Sequence, residues 1–214
     1  MVYNFYICAM ARDGKPTRDK ILAESRDLVL KNGFSGTSID NILEKTGITK
    51  GAFFYHFKTK NILAKALIEE FAREDISYMN EALEKTEPLK GDALNRLLQF
   101  VQEFIDMFED LSEPPPGCLY ASYLSESDRF DDEIKEFISS TFLLWRNTFE
   151  LLLHNVLEEN ETKIEVDIAS LADMLVVIFE GSYVVSKAVN EADLTAKQLI
   201  HLKNYFEILF DSKK

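Results

Sequence analysis

The stretch Gly36-Thr-Ser-Ile-Asp-Asn-Ile-Leu-Glu-Lys-Thr-Gly47-Ile-Thr-Lys-Gly51-Ala-Phe-Phe-Tyr-His-Phe57-Lys-Thr-Lys60 constrains the fold more than any other part of the chain. It reads as two short helices meeting at a tight turn on Gly47. Cap-like pairings of Thr37 with Asp40 and of Ser38 with Asn41 open the first, and Thr49 caps the second, which runs to about Phe57. Ile39, Ile42 and Leu43, with Ile48 and Phe57, supply the buried faces that hold the two at a fixed angle. Thr49, Lys50, Gly51, Tyr55 and His56 are left outside. Hydroxyls and free amides at a helix start favour phosphate, and Gly51 lets a duplex approach closely. Lys58 and Lys60 add positive charge where the duplex backbone passes. The pattern is a helix-turn-helix that reads double-stranded DNA.

The rest of the chain is helical in pattern, giving an all-α fold of about nine helices with no internal repeat and no convincingly alternating strand. A first helix opens after Pro16 with Thr17 as N-cap, buries Ile21, Ser25, Leu28 and Val29, and stops at Gly33. A long fourth helix begins near Lys60 with Ile62, Leu63, Ala66, Leu67 and Phe71 on its inner face. Beyond Pro88, a stripe of Leu94, Leu97, Leu98, Val101, Phe104, Ile105 and Phe108 runs to the break at Pro114-Pro-Pro-Gly117. A short segment from Cys118 to Glu126 precedes a long helix carrying Ile134, Phe137, Ile138, Thr141, Trp145, Phe149, Leu152 and Val156. Two final helices span about 166–189 and 195–210. This divides the chain into a DNA-binding domain at 10–60, continued by a connecting helix at 60–86, and a C-terminal helical domain at 61–214. Residues 1–9 read as a non-native or flexible extension, with Met10 as the expected start.

A net charge of −13 argues superficially against a nucleic-acid partner, but its distribution does not. Residues 10–60 hold ten Lys or Arg against six Asp or Glu, and the remainder holds fourteen against thirty-one. A basic head on an acidic body presents one end to DNA. Two cysteines, Cys8 and Cys118, are too few for a disulfide framework, and the uncharged apolar start lacks a basic leader region and is too short to span a bilayer. The expected location is the cytoplasm, with no membrane partner.

At Ile21-Leu22, Gly33-Phe34, Gly36-Thr37, Ile42, Gly47-Ile48, Gly51, His56-Phe57, Lys60 and Leu63 the chain resembles the tetracycline-repressor (TetR) family of bacterial transcriptional regulators, over roughly residues 18–64. The resemblance implies a three-helix DNA-binding head on a helical body that dimerises and often binds a small molecule. It implies that Lys50 and Gly51 face base edges while Thr37, Tyr55, His56 and Lys60 touch phosphates, with Ser38, Thr49 and Lys58 beside them. Phe54 departs from the pattern, standing where the family usually places a backbone-contacting tyrosine, and Tyr55 next to it can compensate. Repression relieved by a ligand is the implied mode of control.

The body is rich in aromatics: Phe104, Met107, Phe108, Tyr120, Tyr123, Phe142, Trp145, Phe149, Phe179 and Tyr183 suggest a mostly apolar cavity with polar tips for a small apolar or aromatic effector. The same spacing also suits plain core. Leu171, Leu175 and Phe179, with Leu199, Leu202, Phe206 and Leu209, are expected at a two-fold four-helix dimer interface matching a palindromic operator. Cys118, with no basic neighbour, reads as a small buried hydrophobe rather than a redox sensor. The carboxylates from Glu126 to Glu133 read as helix-start charge with Asp131 or Asp132 as cap, not as a metal site. No metal and no cofactor is expected, and neither is an enzyme: there is no phosphate loop, zinc box or nucleophile elbow, and the histidines at 56, 154 and 201 form no catalytic motif. The alternative within the same fold is an architectural or interaction protein that binds DNA without effector control.

Overall fold

In the computed structural model, which describes residues 14–212, nine α-helices build the chain among the described residues. Residues 1–13, and with them the expected extension and Cys8, lie outside the described span. Helix α1 (Lys15–Gly36) starts earlier than expected. Gly14 is its N-cap and Pro16 sits in its first turn, where a missing N–H breaks nothing, so Thr17 is inside the helix rather than capping it. Gly33 (φ 75°) kinks α1 where the sequence placed its end, and a further turn follows.

The next three helices are delimited by local caps. For α2 (Ile39–Thr46), the Ser38 hydroxyl accepts from the Asn41 N–H at 3.1 Å and the Asn41 side chain accepts from the Ser38 N–H at 2.9 Å. Gly47 ends α2 at φ 68°, a conformation costly for any residue with a Cβ. The Thr49 hydroxyl accepts from Ala52 at the start of α3 (Lys50–His56), and the Thr59 hydroxyl from Ile62 at the start of α4 (Lys60–Lys85), both at 3.2 Å. Each such cap contributes about 1 kcal/mol. The inner face of α4 is Leu63, Ala64, Ala66, Leu67 and Ile68, whereas Ile62 is 48% exposed, one position off the buried stripe on which it was expected.

In the body, α5 (Ala93–Glu109) ends before the Pro114–Gly117 break, and α6 (Leu119–Leu124) follows. Asp131 caps α7 (Asp132–Glu159), and Asp167 caps α8 (Ile168–Val189). After α9 (Leu194–Leu209), a strand β2 (Phe210–Ser212) pairs antiparallel with β1 (Asn160–Thr162), Asn160 opposite Ser212. Three residues are too few to show alternation, which is why the sequence did not announce them.

Two apolar clusters organise these elements. The larger joins α5, α7, α8 and α9 around Phe100, Phe104, Phe149, Leu199 and Phe206. The smaller begins in the head with Ile21, Leu22, Ile42, Phe53, Phe57 and Leu67, and continues into Leu119, Tyr123, Phe130 and Ile138. There the Tyr123 and Phe130 rings stack at 4.4 Å, and Phe34 lies 5.7 Å from the first and 4.8 Å from the second. Helix α6 thus fills the same apolar cluster as the head.

Candidate nucleic-acid interface and core cavity

Helix α3 is anchored by Phe53 and Phe57, both buried, and turns the opposite face outward. Thr49, Lys50, Gly51, Tyr55 and Lys58 are exposed on it, Tyr55 to 74%, and Ser38 is exposed at the start of α2. His56 is half-buried, its ring edge-on to Tyr55 at 5.0 Å. Both rings lie against the start of α1: a Cβ added at Gly14 would fall 3.0 Å from His56 Cε1. The first turn of α1, with Lys15 and Arg18, therefore borders the exposed face of α3. Pro16 was the available signal for this missed neighbour.

Two expected phosphate anchors are placed differently. Thr37 is 1% exposed and its hydroxyl donates to the Gly33 carbonyl at 2.9 Å, so it closes the kink of α1 instead of facing solvent. The Lys60 ammonium donates to the Phe34 carbonyl and sits 4.0 Å over the Phe34 ring. Burial there pushes its pKa below the ordinary lysine value, partly offset by nearby Glu126. Phe54 packs edge-on against Phe53 at 5.4 Å, an apolar contact that a hydroxyl would not improve.

The head's positive charge is partly neutralised internally. Lys45 is held between Glu24 at 2.9 Å and Asp27 at 3.1 Å, which raises its pKa, chiefly through the bond to Glu24, and clamps α2 onto α1. Arg26 reaches across to Glu74 at 2.5 Å. Lys50 and Lys58 are exposed on the outer face and have no ion pair among the described residues.

A second feature links head and body. The carboxylate of Glu126, just beyond α6, accepts from the amides of Phe34 at 2.8 Å and Ser35 at 2.9 Å and from the Ser35 hydroxyl. Burial alone would raise its pKa, but these bonds, with Lys60 nearby, hold it below the ordinary carboxylate value. Glu126 lies three residues after Tyr123, so α6 is tied to the kink of α1 through both apolar contacts and hydrogen bonds.

In the body a cavity of about 220 Å³ opens between α4, α5, α7 and α8. Of the expected effector residues, Phe104, Met107, Phe108, Tyr120, Trp145, Phe179 and Tyr183 line it, as does Phe142. Tyr123 and Phe149 do not: Tyr123 is buried in the head cluster with its hydroxyl donating to the Ala64 carbonyl at 2.9 Å, and Phe149 packs on Phe100 and Phe206. Sequence reading missed three lining carboxylates, Glu74, Asp75 and Glu180. The signal was present: Asp75 falls on the buried stripe Ile68, Ala72, Met79 and Ala82 of α4, where a solvated acid has no place. The Trp145 indole N–H donates to Asp75 Oδ2 at 2.9 Å and the Tyr120 hydroxyl to the same oxygen at 3.2 Å. Cys118 is buried, and burial followed by the Glu180 charge pushes its thiol far above the ordinary range, so it is no thiolate at neutral pH.

The expected dimer residues need correcting. Leu171, Leu175, Leu199, Leu202, Phe206 and Leu209 are buried within one chain, in the cluster joining α5, α7, α8 and α9, and Phe179 faces the cavity. The outward faces of the same helices carry other residues. Val177, Gly181, Val184 and Ala188 form an exposed stripe along α8, and Ile200 and Ile208 are exposed on α9. With a mean hydropathy of 1.7, α8 is long and apolar enough to cross a membrane, and most of that window is not buried inside the chain. A groove along this side is lined by Leu124, Leu143, Val176, Val177 and Gly181.

Comparison with known proteins agrees with this architecture. Residues 21–67 match the family model for bacterial regulatory proteins of the tetR family, and residues 93–201 match that for the tetracyclin repressor-like C-terminal domain. The chain is 23% identical over 170 residues to the HTH-type transcriptional repressor DhaR of Mycobacterium sp. (strain GP1), covering 78% of this chain and 80% of that protein. It is 26% identical over 153 residues to IcaR of Staphylococcus aureus (strain Newman), the negative transcriptional regulator of the biofilm operon icaADBC, covering 66% of this chain and 80% of IcaR. The crystal structure of a TetR transcriptional regulator from Chloroflexus aurantiacus J-10-FL shares the fold with a TM-score of 0.74 at 24% identity, covering 94% of this chain and all of that one.

Proposed function

The chain belongs to the TetR family of bacterial transcriptional regulators, and from that premise we propose that it is a cytoplasmic repressor that binds a palindromic operator as a homodimer and is released by a small molecule. The observation that carries this reading is the outer face of α3. Lys50, Gly51 and Tyr55 stand exposed there beside the first turn of α1, on the one basic end of an otherwise acidic chain. Lys50 and Gly51 read base edges. Ser38, Thr49, Tyr55, His56 and Lys58 hold phosphates, and Lys60 supports the fold of the head more than it touches DNA.

The exposed apolar stripe of α8, with Ile200 and Ile208 of α9, is the dimer face in this reading; water-exposed valines at helical spacing suit a partner helix better than a lipid bilayer in a DNA-binding chain. Effector occupancy of the cavity reaches the head through α6, whose one end lines the cavity at Tyr120 and whose following loop binds α1 through Glu126.

Capture of fragmented genomic DNA by the full chain, followed by footprinting, tests the proposal. The expected result is a small number of sites, each protected at two symmetric half-sites about 34–36 Å apart. Many scattered sites would favour an architectural role, and no captured DNA would overturn the reading.

A further inference from the structure

The cavity lining is more acidic than an apolar effector requires. Among the described residues three carboxylates, Glu74, Asp75 and Glu180, face it, and the one lining cation, Arg26, is bonded to Glu74 at 2.5 Å and stacked 4.9 Å over the Phe71 ring. Lys187 approaches the rim, where its Nζ would stand 3.2 Å from a Cβ on Gly117, but it is not part of the lining. Among the described residues neither Asp75 nor Glu180 has a basic partner. The hydrogen bonds from Trp145 and Tyr120 both fall on Oδ2 of Asp75, and Oδ1 takes neither. The neutral Cys118 thiol is the side-chain partner of Glu180 among the described residues.

Around these acids stand π-faces. Trp145, Phe104 and Phe179 lie mutually edge-on or tilted at 5.5–6.2 Å, with Tyr183 tilted against Phe179 at 6.4 Å. Aromatic faces with an unpaired carboxylate behind them attract cations and give anions nothing. Burial pushes both carboxyls above the ordinary carboxylate pKa, a cost that a bound cation would relieve.

We propose that the cavity binds a small organic ammonium cation with an apolar or aromatic substituent, its charge held between Asp75 and Glu180 and its body against Trp145 and Phe179. The assignment rests on the effector reading above only for its consequence on DNA; the recognition itself rests on the cavity.

Trp145 is the one tryptophan of the chain, so its emission reports occupancy directly. The full chain is titrated with benzyltrimethylammonium, benzyl alcohol and phenylacetate. The cation is expected to give a saturable change at about tenfold lower concentration than either other probe. Asp75→Asn and Glu180→Gln should each weaken the cation by about tenfold and leave benzyl alcohol within about twofold. Glu180 also borders the groove on the outer side of α8, so Asp75→Asn decides if the two variants differ. The wild-type comparison alone decides if neither variant folds. Equal or tighter binding of benzyl alcohol or phenylacetate, no response to millimolar cation, or unchanged cation affinity in both folded variants would overturn the proposal. A cation that binds without releasing captured DNA supports the cavity assignment and overturns effector control, whereas a neutral probe that binds tighter and releases DNA does the reverse.

Discussion

The head and the body of this regulator are both helical, yet they specify their surfaces in different ways. In the head, helices of seven and eight residues are bounded by Ser38, Gly47, Thr49 and Phe57, each acting within three or four residues of itself. Once those ends are fixed, Phe53 and Phe57 can only point inward and Tyr55 outward. In the body, α8 runs for 22 residues and is apolar over most of its circumference, so local sequence does not say which face meets the rest of the chain and which is left exposed. The lesson is that local capping fixes the exposed face of α3, while long-range packing decides the exposed face of α8.

The most forceful way to break this contrast lies in the body. Phe206→Ala should destabilise the protein by about 3–5 kcal/mol in urea unfolding, because the ring is fully buried among Phe149, Tyr205 and Phe210. Val184→Asp, at a site 68% exposed, should instead leave the helical signal intact and reduce the sedimenting mass at micromolar protein from a dimer to a single chain. If Val184→Asp unfolds the chain and Phe206→Ala merely dissociates it, the assignment of inner and outer faces is inverted.

In the head the comparison is between two lysines. Lys50→Ala should change sequence preference at one operator position by about 1–3 kcal/mol and leave the unfolding midpoint unchanged, as Lys50 is exposed. Lys60→Ala removes an ammonium bonded to the Phe34 carbonyl over the Phe34 ring, and should lower stability by about 1–2 kcal/mol while weakening all DNA sequences alike. Thermal unfolding beside binding to captured and random duplexes separates the two. A Lys60→Ala protein of unaltered stability would return Lys60 to the phosphate contacts.

These contrasts also mark what could be read from residues alone. The turn at Gly47, the Ser38–Asn41 pairing and the Thr49 cap were legible because each is a short-range device with few alternatives. Thr37 and Lys60 were misplaced because their positions depend on the carbonyls freed where α1 kinks at Gly33, a consequence of three-dimensional folding. Leu171, Leu175, Leu199 and Leu202 were correctly seen as an apolar face, but periodicity cannot tell a core from a dimer contact. Most of the cavity's aromatic lining was visible as a composition, whereas no motif singles out Asp75 and Glu180 among thirty-seven Asp and Glu residues.

The tie between the two regions can be cut at one atom pair. Glu126→Gln keeps an acceptor for the Phe34 or Ser35 amide but removes the charge that both amides and the Ser35 hydroxyl address. The expected loss is about 1 kcal/mol of stability. Because the Glu126 pKa is depressed in the fold, its contribution is present above the ordinary carboxylate value and disappears as pH falls through the depressed one. Wild type and variant should therefore differ at pH 7 and converge in acid. Hydrogen exchange at Phe34 and Ser35 should rise in the variant, and unchanged protection there would show that Phe34, Tyr123 and Phe130 hold α6 to α1 unaided.

The smallest effect has the opposite sign. Glu180 carries a carboxyl whose pKa burial raises, with the Asp75 charge adding to it and the Cys118 thiol opposing. The folded state therefore favours the protonated acid, and stability linked to this group is complete below the ordinary carboxylate value and lost as pH rises through the raised one. Glu180→Gln cannot ionise, so its unfolding midpoint should exceed that of wild type at pH 8, and the gap should close as the buffer approaches pH 4. Glu126→Gln loses stability at the pH where Glu180→Gln gains it, which separates a carboxylate built into the fold from one held against it. A Glu180→Gln protein less stable than wild type at pH 8 would mean that the Cys118 contact supports the fold more than burial of the acid costs it, and would remove the strained acid from the cavity.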